Sequence, residues 1–112
     1  MTDQITLTIP TEPRLRGVAT LVLGGIGSRL NLPYERMDDL QLAVLSVLGA
    51  GGDEHVTLEV DADGDGLAVS LGPLRDGSGS DVALTRVLHP LVDSMETVQR
   101  DGQEWLTLRM AR

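Results

Sequence analysis

Apolar and polar positions along the chain switch between two periods. Gln4-Ile5-Thr6-Leu7-Thr8-Ile9 alternates with period two, which predicts a strand with Ile5, Leu7 and Ile9 on its buried face. Thr11 is then expected to cap a helix that has Pro13 in its first turn and carries Leu15, Val18, Ala19, Val22, Ile26 and Leu30 down one side. Gly17, Gly24, Gly25 and Gly27 weaken this helix by up to about 1 kcal/mol each relative to alanine, a composition that marks close packing against a neighbouring backbone. A second helix starts near Pro33, with Met37, Leu40, Val44 and Val47 on one stripe and Leu42, Leu45 and Leu48 on another. Being apolar on two sides, it is expected to be largely buried. Gly49, Gly51 and Gly52 stop it.

Beyond the glycines the short period returns. His55 to Val60 and Leu67 to Leu71 alternate as two strands around Asp63-Gly64-Asp65-Gly66, a hairpin signal, and Gly72-Pro73 is expected to end that hairpin. Leu74 to Gly79 reads as a loop, after which Ser80 or Asp81 caps a third helix through Val82, Val87, Leu88 and Leu91 that Pro90 kinks or ends. Met95 to Arg100 and Gln103 to Met110 are strands joined at Asp101-Gly102. No linker, repeat or low-complexity block interrupts residues 1–112, so they form one domain of order β-α-α-β-β-α-β-β. That order predicts an α+β two-layer sandwich, a mixed and mostly antiparallel sheet covered by three helices on one face. Ile5, Leu7, Val22, Ile26, Leu40, Val44, Val56, Leu58, Val69, Leu71, Leu88 and Leu106 are the expected core.

Residues 26–50, IGSRLNLPYERMDDLQLAVLSVLGA, carry a more specific pattern: a helix ending in Ser28-Arg29-Leu30, a turn at Asn31-Leu32-Pro33, and a second helix containing Asp38-Asp39-Leu40-Gln41-Leu42-Ala43-Val44. This spelling resembles the anti-sigma-factor serine kinases, members of the histidine-kinase-like (GHKL) ATPases, and the element order extends the resemblance over nearly the whole chain. In that family the second helix continues with a glutamate that activates the attacking hydroxyl and, four residues later, an asparagine that holds Mg²⁺. The matching positions here are Ser46 and Ala50. A serine hydroxyl is too weak a base near neutral pH without a partner, and alanine offers no oxygen to a hard cation. The family's adenine-binding aspartate follows the third strand, where this chain reads Leu71-Gly72-Pro73-Leu74; Asp76-Gly77-Ser78-Gly79 is a displaced echo of it. Only about ten residues separate Pro73 from Val82, too few for the family's lid or its Gly-x-Gly.

Composition narrows the function further. The chain is 41% hydrophobic with one Trp, one Tyr and no Phe, so its core is aliphatic, and it has no cysteine for a disulfide, a thiolate metal site or a nucleophile. The start, Met1-Thr2-Asp3-Gln4, has no basic or apolar leader, and the longest apolar run, Gly17 to Gly27, is too short to span a bilayer, so a cytoplasmic protein with no membrane role is expected. Net charge is −8 and all nine basic residues are arginine, which excludes a P-loop lysine and a Schiff base. An excess of acid repels phosphate backbones, which argues against nucleic-acid binding unless the arginines gather on one face. The acid serves either solubility or an acidic face for a basic protein partner.

Other constellations dissolve on inspection. Asp61-Ala62-Asp63-Gly64-Asp65-Gly66 spells the first half of an EF-hand loop, but its twelfth position is Gly72 where a bidentate glutamate is needed, and strands flank it; it reads as an acidic hairpin turn. His55 and His89 have no metal or dyad spacing. Ser46 lacks a nucleophile elbow, and Ser78 and Ser80 are expected in a flexible loop. No catalytic, cofactor-binding or metal-binding residue is assigned. The resemblance and its departures imply a regulatory interaction module that binds a sigma factor or an anti-sigma antagonist without a kinase step. The alternative is a divergent ATP-binding serine protein kinase, and a third possibility is a purely structural dimer domain. Members of the family dimerise through the first-strand region, which implies a homodimer through Gln4 to Ile9 and the first helix.

Overall fold

The computed structural model of the chain describes residues 3–50, 52–62 and 64–111. Strand β1 (Asp3–Pro10) is followed by a 3₁₀ turn (Pro13–Leu15), helices α1 (Arg16–Arg29) and α2 (Tyr34–Gly49), and strands β2 (Gly52–Ala62) and β3 (Gly66–Leu74). A second 3₁₀ turn (Ser78–Ser80) leads into α3 (Val82–Leu88), β4 (Ser94–Arg100) and β5 (Gln103–Ala111). The strands form one sheet of order β1-β2-β3-β5-β4, antiparallel at every pairing, so the expected mixed character of the sheet is not found. The two helices between β1 and β2 bring the chain back antiparallel, and the single-helix crossover from β3 to β4 sets those strands in the same direction but with β5 between them, so no parallel pair is adjacent. Gly51 and Asp63, assigned above to the helix stop and the hairpin turn, lie outside the described residues, as do Met1 and Thr2.

The three helices cover one face of the sheet. Alternate residues of the three inner strands point at them: Val56, Leu58 and Val60 from β2, Leu67, Val69 and Leu71 from β3, Leu106, Leu108 and Met110 from β5. Helix α2 lies between α1 and α3 and supplies Leu40, Ala43, Val44 and Val47, all without solvent exposure. Nine of the twelve expected core residues are buried, and Leu7 and Val22 pack partly against the cluster. Ile5 is the exception at 37% exposure, because β1 is an edge strand with a neighbour on one side alone. Leu42 and Val18 also face outward, so of the second apolar stripe of α2 Leu48 is buried and Leu45 half-buried, while Leu42 is exposed.

Local chemistry sets the junctions. Helix α1 ends in a Schellman motif: the Leu32 amide donates to the Gly27 carbonyl at 3.0 Å and the Asn31 amide to Ser28 at 3.2 Å, with Asn31 left-handed at φ 58°. This closes the Asn31-Leu32-Pro33 turn and folds α2 back along α1. A methyl group on Gly27 would lie 1.9 Å from Sδ of Met37, and one on Gly24 would lie 3.3 Å from Nε2 of Gln41. Close packing is therefore the role of these two glycines, against side chains of α2, whereas Gly17 and Gly25 face open space. The Gln41 amide also donates to the Thr20 carbonyl at 2.8 Å. Thr11 does not cap α1; its amide and hydroxyl both donate to the Glu54 carbonyl on β2. Asp81 is the cap of α3, accepting from the amides of Ala83 and Leu84, and the helix ends before Pro90. Asp101 and Gly102, both at positive φ, make the β4–β5 turn.

The opposite sheet face has no helix. Register places Thr8, Thr57, Gly72, Trp105 and Val98 in one row across it. The Arg100 guanidinium stacks 4.3 Å above the Trp105 ring and reaches Glu59 at 2.7 Å. Substituting Val44 by aspartate would place an unpaired charge where no water reaches, at a cost on the order of the whole stability of a small domain. The expected outcome for Val44→Asp is loss of the cooperative thermal transition by circular dichroism, with Leu42→Asp as the outward control that keeps it.

Candidate functional site

The last turn of α2 is where the resemblance to a kinase would place chemistry. Ser46 is half-buried, and its hydroxyl donates to the carbonyl of Leu42, one turn back in the same helix, at 2.8 Å. Ala50 is the C-cap residue, with φ −72° and ψ −11°. The charged group at this end is Arg16 from the start of α1: Nη1 lies 4.0 Å from where a Gly49 methyl would sit, and its buried Nε has no hydrogen-bond partner among the described residues. A guanidinium beside a helix C-terminus suits the helix dipole. It cannot serve as a base or hold a cation.

The segment after β3 is folded rather than open. β3 continues through Gly72-Pro73, joined by a cis peptide, to Leu74, so this dipeptide does not end the strand as expected. Asp76 and Gly77 turn the chain, with Gly77 at φ 89°, and the amides of Gly77 and Gly79 donate to the two carboxylate oxygens of Glu104 at 3.3 and 2.8 Å. Glycine amides held in such a turn are ready anion donors. Here the anion is the chain's own carboxylate, buried on β5. Ser78, expected in a flexible loop, is likewise buried; its hydroxyl donates to the Arg75 carbonyl at 2.7 Å, and Gly79 packs so closely on Thr97 that a methyl would lie 2.1 Å from its hydroxyl. The sequence signal for Glu104 is its place two residues before Leu106 on the helix-facing side of β5, an acid in an apolar row.

Asp61 and Asp65 of the calcium-like motif belong to β2 and to the β2–β3 hairpin, and Gly72 lies inside β3. Among the described residues no group of three or more His, Asp or Glu is arranged to hold a metal. His55 stands exposed on β2 opposite Pro10, and His89 exposed at the end of α3. Among the described residues Arg14, Arg36, Arg100 and Arg109 each pair with a carboxylate, on the 3₁₀ turn, on α2 and on the two last strands. Among the described residues no helix is long and apolar enough to cross a membrane.

One surface recess lies beside Glu54, His55, Thr57 and Pro73, and two further ones are lined by charged or glycine-rich segments. One, of about 350 Å³, includes Asp61, Asp65, Asp93 and Arg109. Asp93 there ties three elements together, accepting from the Ala111 amide of β5 and from Arg36 of α2 at 2.6 Å. The other is a groove of about 500 Å³ on the outer side of the α1–α2 pair. Gly24, Gly27, Met37 and Gln41 line it where the helices meet, and Ser28, Tyr34 and Asp38 line it from either side.

No protein-family model matches the chain. Over 42 residues, 38% of the chain, it is 40% identical to the serine-protein kinase RsbW of Oceanobacillus iheyensis, where the match covers 27% of that protein. Over 44 residues, 39% of the chain, it is 43% identical to the serine-protein kinase RsbW of Listeria monocytogenes, covering 28% of that protein. The match thus spans about a quarter of the length of these curated relatives. Both relatives are serine-protein kinases, the activity of the family whose spelling residues 26–50 resemble.

Two expectations follow for the polar contacts. The hydrogen bond from the Ala111 amide, reinforced by the Arg36 guanidinium and opposed by burial, holds the Asp93 carboxyl below the ordinary carboxylate range. A depressed folded pKa contributes stability above the unfolded value of about 3.9 and loses it as pH falls through the folded one. The gap in melting temperature between the native chain and Asp93→Asn is therefore full near neutral pH and closes progressively below about pH 4. For Glu104→Ala, the freed amides of Gly77 and Gly79 should exchange faster with solvent, at a stability cost of about 1–3 kcal/mol read from denaturant titration.

Proposed function

We propose that the chain is a protein-interaction module of the anti-sigma type, acting by binding a sigma factor or an anti-sigma antagonist and without a kinase step. The observation that carries this reading is the state of the α2 terminus. The two positions that would activate a hydroxyl and hold Mg²⁺ are a serine bonded into its own helix and a capping alanine, with an arginine beside them. The glycine amides nearest in kind to a phosphate cradle are taken by Glu104. The partial likeness to RsbW proteins supports the regulatory class. The module acts in the cytoplasm and needs no cofactor.

Calorimetric titration with purified candidate sigma factors and antagonists tests the binding half of the proposal. The catalytic half predicts no rise in melting temperature with Mg²⁺-ATP, since a ligand of the native state stabilises it by RT ln(1 + [L]/Kd). The second reading, a divergent ATP-dependent serine kinase, is favoured by the partial likeness to serine-protein kinases. A clear Mg²⁺-ATP shift with phosphate transfer to a partner serine would establish it. The double change Ser46→Glu with Ala50→Asn is expected to restore neither, because Glu104 still fills the glycine turn and no adenine-binding group is supplied.

Assembly belongs to the same proposal. β1 pairs with β2 along its whole length and, among the described residues, with nothing on its outer side. No lysine or internal proline blunts that edge, so a second copy can add its own β1 in a two-fold pair. Sedimentation is expected to give a dimer mass at micromolar concentration, and Ile5→Lys, which leaves the core intact, to give a monomer. A dimer that persists in Ile5→Lys and in Thr6→Pro lies on another surface.

A further inference from the structure

The groove between α1 and α2 combines features that the fold itself does not require. Leu21 is 78% exposed, Tyr34 88% and Leu42 53%. Tyr34 lines the groove, whereas Leu21 stands one turn before Gly24 and two before Ser28, and Leu42 one and two turns after Asp38 and Tyr34, so the two leucines continue the rows of its α1 and α2 walls without lining it. Side chains this apolar are normally turned inward when a helix has a free choice, and an exposed set around a recess marks a contact surface. The α1 side is also low: Gly25 faces open space and Gly24 meets nothing beyond Gln41, so another backbone can approach closely.

The charge around the groove selects the occupant. Asp38 lines it and Glu35 stands exposed beside Tyr34, and neither is paired with an arginine among the described residues. Arg29 follows Ser28 by about 100° around α1, as Glu35 follows Tyr34 on α2, and neither is among the lining residues, so the charged group that lines the groove itself is Asp38. Arg36 is turned away into its bond with Asp93. A second copy would bring the same carboxylates and the same net charge of −8 to this surface. An anionic membrane is repelled for the same reason. A cleft between two packed helices accepts a third helix by seating its side-chain ridge.

We infer that the α1–α2 groove is the docking site for a basic amphipathic helix of another protein, with apolar side chains between Leu21 and Leu42 and arginine or lysine against Asp38 and Glu35. This rests on the reading of the chain as an interaction module, and it specifies the surface and the partner's chemistry.

The test uses a synthetic helical peptide of about five turns with leucines on one stripe and arginines flanking it, and a twin with glutamates in place of the arginines. Titration of the isotope-labelled domain should show saturable binding of the basic peptide alone, with amide shifts centred on Gly24, Ser28, Asp38 and Gln41. Leu21→Ser with Leu42→Ser should weaken it by about tenfold or more at an unchanged melting temperature. Glu35→Arg with Asp38→Arg should transfer the preference to the acidic twin. Equal binding of both peptides, shifts centred on Asp61 and Asp65, or indifference to the leucine changes would overturn the inference. The same variants separate it from the broader reading. A sigma factor or antagonist that binds the native chain and the leucine variants equally sinks the groove and leaves the module standing, whereas failure of every such partner on the native chain sinks the module itself.

Discussion

Everything in this fold depends on keeping α2 dry. Leu40, Ala43, Val44 and Val47 lose all contact with water because the sheet lies beneath them, α1 on one flank and α3 on the other. Burial of that size dominates a chain whose aromatic content is 2%. The contacts at the margins of α2 hold it in register: Gln41 and Arg36 by hydrogen bonds to the α1 backbone and to Asp93, and Met37 by packing against Gly27. Each is worth little beside the core, yet together they leave the helix one seat.

The helix-free face of the sheet solves a different problem with different chemistry. A single sheet with one bare face must satisfy that face from its own side chains. The Ser70 and Thr107 hydroxyls bond at 2.9 Å, Thr8 and Thr57 at 2.8 Å, and Arg100 bridges Trp105 and Glu59. Cross-strand pairs of this kind contribute about 0.2–1 kcal/mol each, too little to hold the sheet but enough to make a third layer unnecessary. Gly72 is part of this arrangement, because any side chain there would occupy the volume of the Trp105 ring.

Periodicity made the elements legible, since period two and period 3.6 are imposed by backbone geometry and survive without knowledge of neighbours. The Asp101-Gly102 turn and the Asp81 cap were legible for the same reason, each being a local requirement met by a particular residue type. What stayed hidden depended on partners distant in sequence. Ile5 has the alternation of a core residue but sits on an edge, and Leu42 is the one member of its stripe left exposed, with Leu48 buried and Leu45 half-buried. β3 runs through Pro73 because a strand can tolerate proline where the ladder shifts register, as it does between Leu71 and Leu74. The place of Ser46 and Ala50 at the end of α2 was legible from the helical period. The capture of the Gly77 and Gly79 amides by Glu104 is a long-range contact that no local spelling announces.

The use of arginine alone as the basic residue connects these layers to the surface. A guanidinium is planar, stacks on rings and presents several donors at once, so it can join elements where a lysine ammonium would act as a point charge. Arg100 stacks and pairs across strands, and Arg36 meets both Asp93 and the sulfur of Met110. Arg16 is packed against the end of α2. Positive charge spent on holding the architecture is withdrawn from the exterior, and in a chain with seventeen acidic residues against nine basic ones the carboxylates left unpaired are those outside. Glu35 and Asp38 are two of them, set beside exposed leucines on the most buried helix in the molecule. The rigidity that α2 gains from its core is therefore passed to its outer rim, where an acidic and apolar edge is held in fixed geometry.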